Sequence, residues 1–156
     1  MEYFKQLRKH VGHAPLILPG AVVIIVDKHG DVLLQERHDQ SWGLPGGLME
    51  LGESLIETAR REVREETGLE VDDLILLEIL SGPEYYYKIA NGDEFYSVTA
   101  LYTTNIFAGE LTPDPEETLS LKFCSLRRLP ERMDQEYRDC LRIYSEWLKE
   151  NSALKA

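Results

Sequence analysis

The stretch ARREVREETGLEV, from Ala59 to Val71, decides how this sequence is interpreted. Three of its glutamates, Glu62, Glu65 and Glu66, fall close together if the segment is helical. At 100° per residue they lie within an arc of about 100°. Like charges at these spacings repel each other by roughly 0.2–0.5 kcal/mol per pair on an exposed helix. A folded chain that accepts this repulsion needs a compensating interaction, and the flanking residues indicate which one.

The residues around this stretch predict a helix from about 55 to 67. Ser54 and Glu57 match a capping box, in which the serine hydroxyl and the glutamate side chain satisfy free backbone N–H groups. Gly68 is a typical C-terminal stop. The apolar positions form a stripe that we expect to be buried, made of Leu55, Ile56, Ala59 and Val63.

Glu62 and Glu66 overlap the margin of that stripe. Arg61 is four residues from both Glu57 and Glu65 in the order that favours ion pairs, so those two glutamates can be solvated surface charges. Glu62 and Glu66 have only each other at this spacing, and burying an unpaired carboxylate costs several kcal/mol. A hard cation such as Mg²⁺ or Mn²⁺ prefers carboxylate oxygens and resolves the conflict. The helix alone therefore favours a metal site over a salt-bridged surface.

A glycine-rich loop precedes this helix. LPGGLMELGES, residues 44–54, places Gly46 and Gly47 ahead of the glutamates. Glycine lets the backbone approach a ligand closely and leaves its carbonyl group exposed. Glu53 follows in the same loop, just before the helix cap. The loop therefore strengthens the prediction of a metal site.

Gly47, Glu53 and the run REVREETGL from Arg61 to Leu69 have the spacing of the Nudix box, with every defined position present. The sequence therefore resembles the Nudix hydrolases, over roughly residues 17 to 130. The resemblance implies an α/β fold, an α/β/α sandwich around a mixed sheet. It implies cleavage of a nucleoside diphosphate linked to another moiety, such as ADP-ribose, a dinucleoside polyphosphate or an NTP-like substrate. A nucleotide-sensing Nudix module without turnover is the alternative, although the intact box argues against it.

The same resemblance assigns candidate roles. The ligands for Mg²⁺ or Mn²⁺ would be one carbonyl and three carboxylates, from Gly47, Glu62, Glu65 and Glu66. Arg61 would orient the glutamates, and Glu53 would support the loop. The bound metal would neutralise phosphate charge and activate a water molecule for attack on phosphorus. The general base is Glu65 or a glutamate on a later loop, where we favour Glu117 over Glu116.

The segment SGPEYYYK, residues 81–88, gives two conflicting signals about the substrate. A proline at about the position of Pro83 resembles the pattern of the ADP-ribose pyrophosphatases. A tyrosine slightly further on resembles the pattern of the dinucleoside polyphosphate hydrolases. Tyr85 and Tyr87 would share one face of a strand and could stack on a base, but tyrosines are also ordinary strand formers. Arg37, near the mouth of the glycine loop, could contact phosphate or be solvated surface. The identity of the substrate stays open.

The rest of the sequence predicts strands and one further main helix. Mixed strands with two main helices predict a layered α/β or α+β arrangement. A length of 156 residues fits a single domain. The predicted elements are an N-terminal arm or helix (1–16), a hairpin of Ala21–Asp27 with Val32–Arg37, a strand Leu69–Leu80, a hairpin of 84–89 with 94–104, a strand Leu119–Leu126 and an amphipathic helix 134–150.

Composition excludes several classes of partner. The formal charge of −11 argues against a nucleic-acid polymer, whose binding depends on neutralising phosphates. The longest apolar run, Ala21 to Val26, is too short to span a membrane. MEYFKQLRKH has no apolar core of the secretory type, so we expect a cytoplasmic protein with Cys124 and Cys140 reduced. Homodimers are common in such families, so a homodimer is possible.

Overall fold

The computed structural model of this chain describes the backbone of residues 2–155 and the side chains of residues 2–152. Helices alternate with short and long strands along the chain. In order they are α1 (Glu2–Val11), β1 (Leu16–Ile25), β2 (Val32–Glu36), β3 (Trp42–Gly43), β4 (Gly46–Leu48), α2 (Leu55–Thr67), β5 (Glu70–Asp72), β6 (Ile75–Leu80), β7 (Tyr86–Lys88), β8 (Glu94–Thr104), β9 (Ile106–Ala108), β10 (Ser120–Cys124) and α3 (Gln135–Lys155).

A mixed sheet organises the fold. Strand β1 runs parallel to β8 over its whole length, from Leu16 opposite Phe95 to Ile25 opposite Thr104. Strand β4 pairs antiparallel with the other side of β1, and β6 and β7 pair antiparallel with β8. The strands β10, β2 and β3 form a second sheet, and β5 pairs with β9. The short β4 is therefore an edge strand of the main sheet, and its glycines lie beside β1.

The two faces of β1 contribute to two separate cores. Val22 and Ile24 pack in the core that includes Leu141 and Tyr144 of α3. Val23 and the other alternate residues of β1 pack in the core that includes α2. A strand that is covered on both faces reads as a continuous apolar run, as this one does. Helices on opposite faces of a mixed sheet confirm the predicted α/β/α sandwich.

Helix α2 has the predicted bounds and the predicted caps. The Ser54 hydroxyl accepts a hydrogen bond from the Glu57 N–H at 3.1 Å, and the Glu57 carboxylate accepts one from the Ser54 N–H. Gly68 ends the helix in the left-handed region, at φ 78°. The prediction was wrong for Ile56, which is 42% exposed. The helix turns Ala59 and its neighbours toward the sheet, so the side chain of Ile56 faces solvent.

The hairpin predicted between Ala21–Asp27 and Val32–Arg37 is wrong. The two strands share a single bridge, between Val26 and Val32. Both edges of β1 are already taken, by β4 and by β8, so no edge is left for β2. Strand β2 pairs instead with β10 and β3.

The single strand predicted over Leu69–Leu80 is also wrong. Asp73 adopts a left-handed conformation, with φ 52°, and divides the segment into β5 and β6. Strand β5 pairs with β9, which the sequence analysis did not predict, while β6 pairs with β8. The two halves of the segment therefore pair with different strands and do not form one continuous strand.

The later elements follow the prediction more closely. The hairpin of β7 with β8 is present, but Tyr85 ends a short 3-10 turn, Pro83–Tyr85, and does not share the strand with Tyr87. The N-terminal segment contains a helix, α1, and α3 extends beyond its predicted end. Both cysteines are buried and unpaired, as expected. Within residues 2–155, no helix is long and apolar enough to cross a membrane.

Candidate active site

A cleft of about 740 Å³ lies beside α2, β4 and the first turn of α3. It brings together residues from distant parts of the sequence that were predicted to act together. The predicted site residues that line it are Arg37, Gly47, Glu62, Glu65, Glu66 and Glu117.

Glu62 and Glu66 are the two carboxylates that α2 turns inward. They are 5% and 3% exposed, whereas the Glu65 side chain is 55% exposed. Burial raises the pKa of Glu62 above its ordinary value. Burial raises the pKa of Glu66 further, although the charge of Arg37 opposes this, and one Glu66 oxygen accepts a hydrogen bond from the Gly46 N–H at 3.1 Å. The helix thus holds two carboxylates where their ionised forms are poorly solvated.

Arg61 braces the start of the helix against the loop. Its Nε donates to Glu53 at 2.5 Å, and its Nη2 donates to the other Glu53 oxygen at 2.9 Å and to the Leu48 carbonyl at 3.0 Å. The Glu53 carboxylate also accepts hydrogen bonds from the Glu50 N–H and the Thr58 hydroxyl. These interactions, led by that of Arg61, lower the pKa of Glu53 to about 2.

The same guanidinium also reaches two glutamates of α2. Arg61 Nη1 donates to Glu62 at 2.8 Å and to Glu65 at 3.3 Å. One arginine therefore contacts three of the glutamates that the sequence analysis singled out. A planar fork with several donors is suited to hold carboxylates in fixed orientations.

The glycines of the loop make room for these groups. A Cβ placed on Gly47 would come within 2.5 Å of a Glu62 carboxylate oxygen, so a side chain there would displace that carboxylate. The Gly47 carbonyl oxygen would in turn lie 2.5 Å from a Cβ on Gly20 of β1. Gly20 was not identified from the sequence, although a glycine inside a strand often marks the close approach of another backbone. Its lack of a side chain lets the Gly47 carbonyl approach β1 this closely.

Arg37 faces the buried glutamates from the end of β2. Its Nη2 donates to the Tyr137 hydroxyl at 2.8 Å, and its guanidinium lies 5.7 Å from the centre of the Tyr137 ring. Burial alone would lower the pKa of Arg37, but Tyr137 and the charges of Glu66 and Glu117 raise it overall. Arg37 therefore stays a cation within the cleft and is partly balanced by its carboxylates.

Glu117 reaches the cleft from the loop before β10. Its backbone N–H donates to the Asp114 carbonyl at 3.1 Å, and its negative charge contributes to the raised pKa values of Glu62 and Glu66. Glu116 lines the cleft beside it. The acidic groups of the cleft thus come from three elements: α2, this loop and the start of α3, which contributes Glu136.

The two predicted tyrosines are placed differently. The Tyr85 hydroxyl donates to Asp139 of α3 at 2.9 Å, and Tyr85 is not among the residues that line the cleft. The Tyr87 hydroxyl donates to Glu136 at 2.5 Å, and its ring stacks on Phe95 with centroids 5.2 Å apart. Tyr87 therefore reaches the cleft only through Glu136 and Phe95, which do line it.

Glu136 and Tyr137, at the start of α3, were missed as site residues. Besides Tyr87, the Thr99 hydroxyl donates to Glu136, at 2.6 Å. The apolar spacing of the helix identified Tyr137 only as a packing residue. No local pattern in the sequence predicts a contact between the first turn of α3 and β8, because the two elements are far apart in the chain and only the tertiary fold brings them together.

The donor set fits a hard divalent cation in chemistry. Carboxylate and carbonyl oxygens from Gly47, Glu62, Glu65 and Glu66 are the ligand types that Mg²⁺ and Mn²⁺ prefer. Among the described residues, no three His, Cys, Asp or Glu side chains already converge in an arrangement that could hold a metal ion. Mg²⁺ commonly uses only one or two carboxylates together with waters and substrate phosphates, so a complete protein cage is not required.

Comparisons with known proteins agree with this geometry. A family model described as NUDIX domain matches residues 17–143. The chain is 35% identical over 112 residues, 71% of its length, to the Bacillus subtilis (strain 168) protein named "Putative 8-oxo-dGTP diphosphatase", and the match covers 68% of that protein. It is 27% identical over 138 residues, 85% of its length, to an ADP-ribose pyrophosphatase of Methanocaldococcus jannaschii, and that match covers 77% of the relative.

Solved structures extend the comparison to the fold. The crystal structure of a MutT NUDIX hydrolase from Burkholderia pseudomallei superposes with a TM-score of 0.70 at 27% identity. That alignment covers 81% of this chain and 96% of the other. Some matched relatives are much longer, and the matches to two of them cover 41% and 34% of their lengths.

Proposed function

Because the chain belongs to the Nudix hydrolases, which act on phosphoric anhydride bonds, we propose that it is a metal-dependent pyrophosphohydrolase. Its substrate would be a nucleoside diphosphate linked to another moiety, and Mg²⁺ or Mn²⁺ its cofactor. Relatives named for 8-oxo-dGTP and for ADP-ribose support a small nucleotide substrate. We also propose a homodimer, which light scattering coupled to size-exclusion chromatography would measure.

One observation carries the proposal: α2 buries Glu62 and Glu66 together at a cleft wall although burial disfavours their ionised forms. In a purely structural helix, replacing such a pair with apolar residues of similar volume would often leave the stability unchanged or raise it. A divalent cation compensates the two charges and gives them a use. Their position opposite Arg37 also suits a ligand with negative phosphates.

Each residue then has a defined task. Arg61 holds Glu62 and Glu65 in orientation, and Glu53 fixes Arg61. Arg37 binds a phosphate oxygen of the substrate as a cation. When bound, the metal supplies charge neutralisation and lowers the pKa of a water molecule.

Glu65 or Glu117 accepts the proton of that water as it attacks phosphorus. Glu65 is more exposed than Glu62 and Glu66 and contacts Arg61, whereas Glu117 lies on a separate loop. The water oxygen forms a new bond to phosphorus, and the P–O–P bridge breaks with its oxygen leaving on the other product.

The test is a turnover screen of the purified protein with Mg²⁺ or Mn²⁺. ADP-ribose, diadenosine polyphosphates, NTPs and nucleotide sugars would be offered, with EDTA as the metal-free control. We expect phosphate-containing products from at least one substrate, and ¹⁸O from labelled water in one of the two products. Absence of turnover on all of them, together with absence of metal binding, would refute the proposal.

The same screen separates the alternative function. A nucleotide-sensing module would bind ADP-ribose or an NTP in calorimetry and yield no product over hours. A substitution outside the cleft, Glu70→Gln, serves as the matched control because it removes a glutamate that pairs with Arg64 on the surface.

A further inference from the structure

Helix α1 lies outside the segment that matches the family model, which begins at residue 17. Two of its side chains nevertheless line the cleft, Phe4 and Lys5. The element that precedes the shared fold is therefore part of the wall of the candidate active site.

Arg8 fixes α1 to the body of the protein. Its guanidinium donates to the carbonyls of Gly12 at 3.0 Å, Ala14 at 2.7 Å and Glu94 at 2.7 Å. It also pairs with Asp93 at 3.5 Å, and only 10% of its side chain is exposed. Because Asp93 and Glu94 lie at the turn between β7 and β8, α1 is held on that hairpin.

A second attachment joins α1 to the loop before α2. The Tyr3 N–H donates to the Glu50 carboxylate at 3.0 Å. The Glu50 N–H donates to Glu53, which in turn holds Arg61. The position of α1 is thus coupled through three contacts to the arginine that orients the glutamates of α2.

The lining of the cleft combines two kinds of side chain. Glutamates of α2 and Arg37 supply charged groups, whereas Phe4, Leu18, Ile89 and Phe95 supply apolar ones. The Arg8 guanidinium lies 5.4 Å from the centre of the Phe4 ring and so keeps this ring in place. Lys5 adds a positive charge to a lining rich in glutamates.

We propose that Phe4 and Lys5 are specificity-determining residues that bind the part of the substrate beyond the scissile diphosphate. The Phe4 ring contacts the aromatic base of the nucleoside, and Lys5 attracts the negative charge of the phosphates. This inference rests on the proposed function, because it assumes that the α2 glutamates and Arg37 hold the diphosphate.

The primary test compares steady-state kinetics of Phe4→Ala and Phe4→Leu with the parent chain on the best substrate of the screen. Loss of one base–aromatic contact raises KM roughly tenfold for Phe4→Ala, and kcat should change less than about twofold. Phe4→Leu keeps most of the apolar volume, so its KM should lie between those of the parent chain and Phe4→Ala. A kcat loss with unchanged KM would contradict a role in binding.

Lys5 is tested against a matched lysine of the same helix. Lys5→Ala should raise KM at low salt, and the effect should shrink in high salt because exposed charges are screened. Lys9→Ala removes an exposed lysine that does not line the cleft, so its KM should equal that of the parent chain. Equal KM changes in the two variants would show only a general charge effect and would overturn the role of Lys5.

Binding of ADP, measured by calorimetry with Mg²⁺ present, distinguishes failure of the α1 subsite from failure of the proposed hydrolase function. If the parent chain hydrolyses a substrate but Phe4→Ala and Lys5→Ala keep the KM of the parent chain, this inference fails and the proposed function stands. If the parent chain has no turnover but binds ADP, and Phe4→Ala weakens that binding, the proposed function fails and the α1 subsite stands. Neither turnover nor ADP binding by the parent chain would overturn both.

Discussion

Glu53 and Glu66 lie toward opposite ends of α2, and their surroundings differ in burial and in hydrogen-bond donors. Glu53 accepts hydrogen bonds from Arg61, the Glu50 N–H and the Thr58 hydroxyl, and its pKa falls to about 2. Among the described residues, Glu66 accepts a hydrogen bond from the Gly46 N–H, and its pKa rises well above the ordinary value. Several donors surround the carboxylate of Glu53, which serves the fold. Burial raises the pKa of Glu66, and the Gly46 N–H only partly opposes this.

This difference separates a supporting carboxylate in the loop before α2 from a candidate metal ligand on α2 itself. A buried group whose charge is satisfied contributes to stability, and its removal leaves partners unsatisfied. A buried group whose charge is not satisfied costs stability and is retained for a ligand. Substitutions at the two sites should therefore change stability in opposite directions, which makes the comparison testable.

Glu66→Gln should have the largest effect. Activity should fall roughly a hundredfold or more, because each 1.36 kcal/mol of lost transition-state stabilisation is tenfold in rate and a metal contributes several kcal/mol. The metal-free variant should melt at the same or a higher temperature, since an unsatisfied buried charge has been removed. Full activity with Mg²⁺ would show that Glu66 is not a metal ligand.

Arg61→Ala should reverse that pattern. Removing the guanidinium leaves Glu53 and Glu62 without their partner. We expect a loss of about 2–4 kcal/mol in the free energy of unfolding, below the range for a fully buried pair because Arg61 keeps some exposure. Urea unfolding measures it, and kcat should fall as well because Glu62 and Glu65 lose their orientation.

Arg61→Lys is the control for charge without geometry. Lysine keeps the positive charge but cannot form the fork that contacts Glu53 through two nitrogens. We expect a loss in the free energy of unfolding that is smaller than that of Arg61→Ala. If Arg61→Lys behaves like the parent chain, the brace depends on charge alone and the comparison with Glu66 weakens.

Local signals explain why α2 was predicted almost residue by residue. The capping pair at Ser54 and Glu57 and the stop at Gly68 lie next to the helix that they delimit. The pairing of β1 could not be read in this way, because its main partner, β8, is far along the chain. The continuous apolar run in β1 indicates that both faces of the strand are covered, but it does not identify the strands that pair with its edges.

The candidate site divides along the same line. Glu62, Glu65 and Glu66 follow from helical geometry because they belong to one helix. Phe4, Gly20 and Glu136 enter the cleft from α1, β1 and α3, and only the tertiary fold brings these elements together. Spacing predicts contacts within an element and does not predict which element will lie opposite.

Glu53→Gln should change the response to acid. Because Arg61 and the other donors lower the folded pKa of Glu53 from 4.5 to about 2, its ionised form is favoured in the folded state. Its contribution is therefore complete above about pH 4.5 and is lost as the pH falls toward 2. The variant should be less stable by about 1–2 kcal/mol at pH 7, and its difference from the parent chain should narrow over this window.

Glu70→Gln is the matched control for that measurement. Arg64 also lowers the pKa of Glu70, but the pair is exposed, so solvent and salt screen it. Its stability difference should be small at pH 7 and should decrease with added salt. Metal-free protein in EDTA must be used for both variants, so that only the fold is measured.

Ser54→Ala should have the smallest effect and should separate the brace from the helix start. Ser54 is next to Glu53 in sequence, but it caps α2 and does not contact Arg61. Loss of the cap should cost about 1 kcal/mol, which lowers the melting temperature by about 2–4 °C in a chain of this size. The kcat should not change, because Arg61 keeps all its partners. If kcat fell as far as in Arg61→Ala, the glutamates would depend on the helix start as a whole, and the brace through Glu53 would have no separate role.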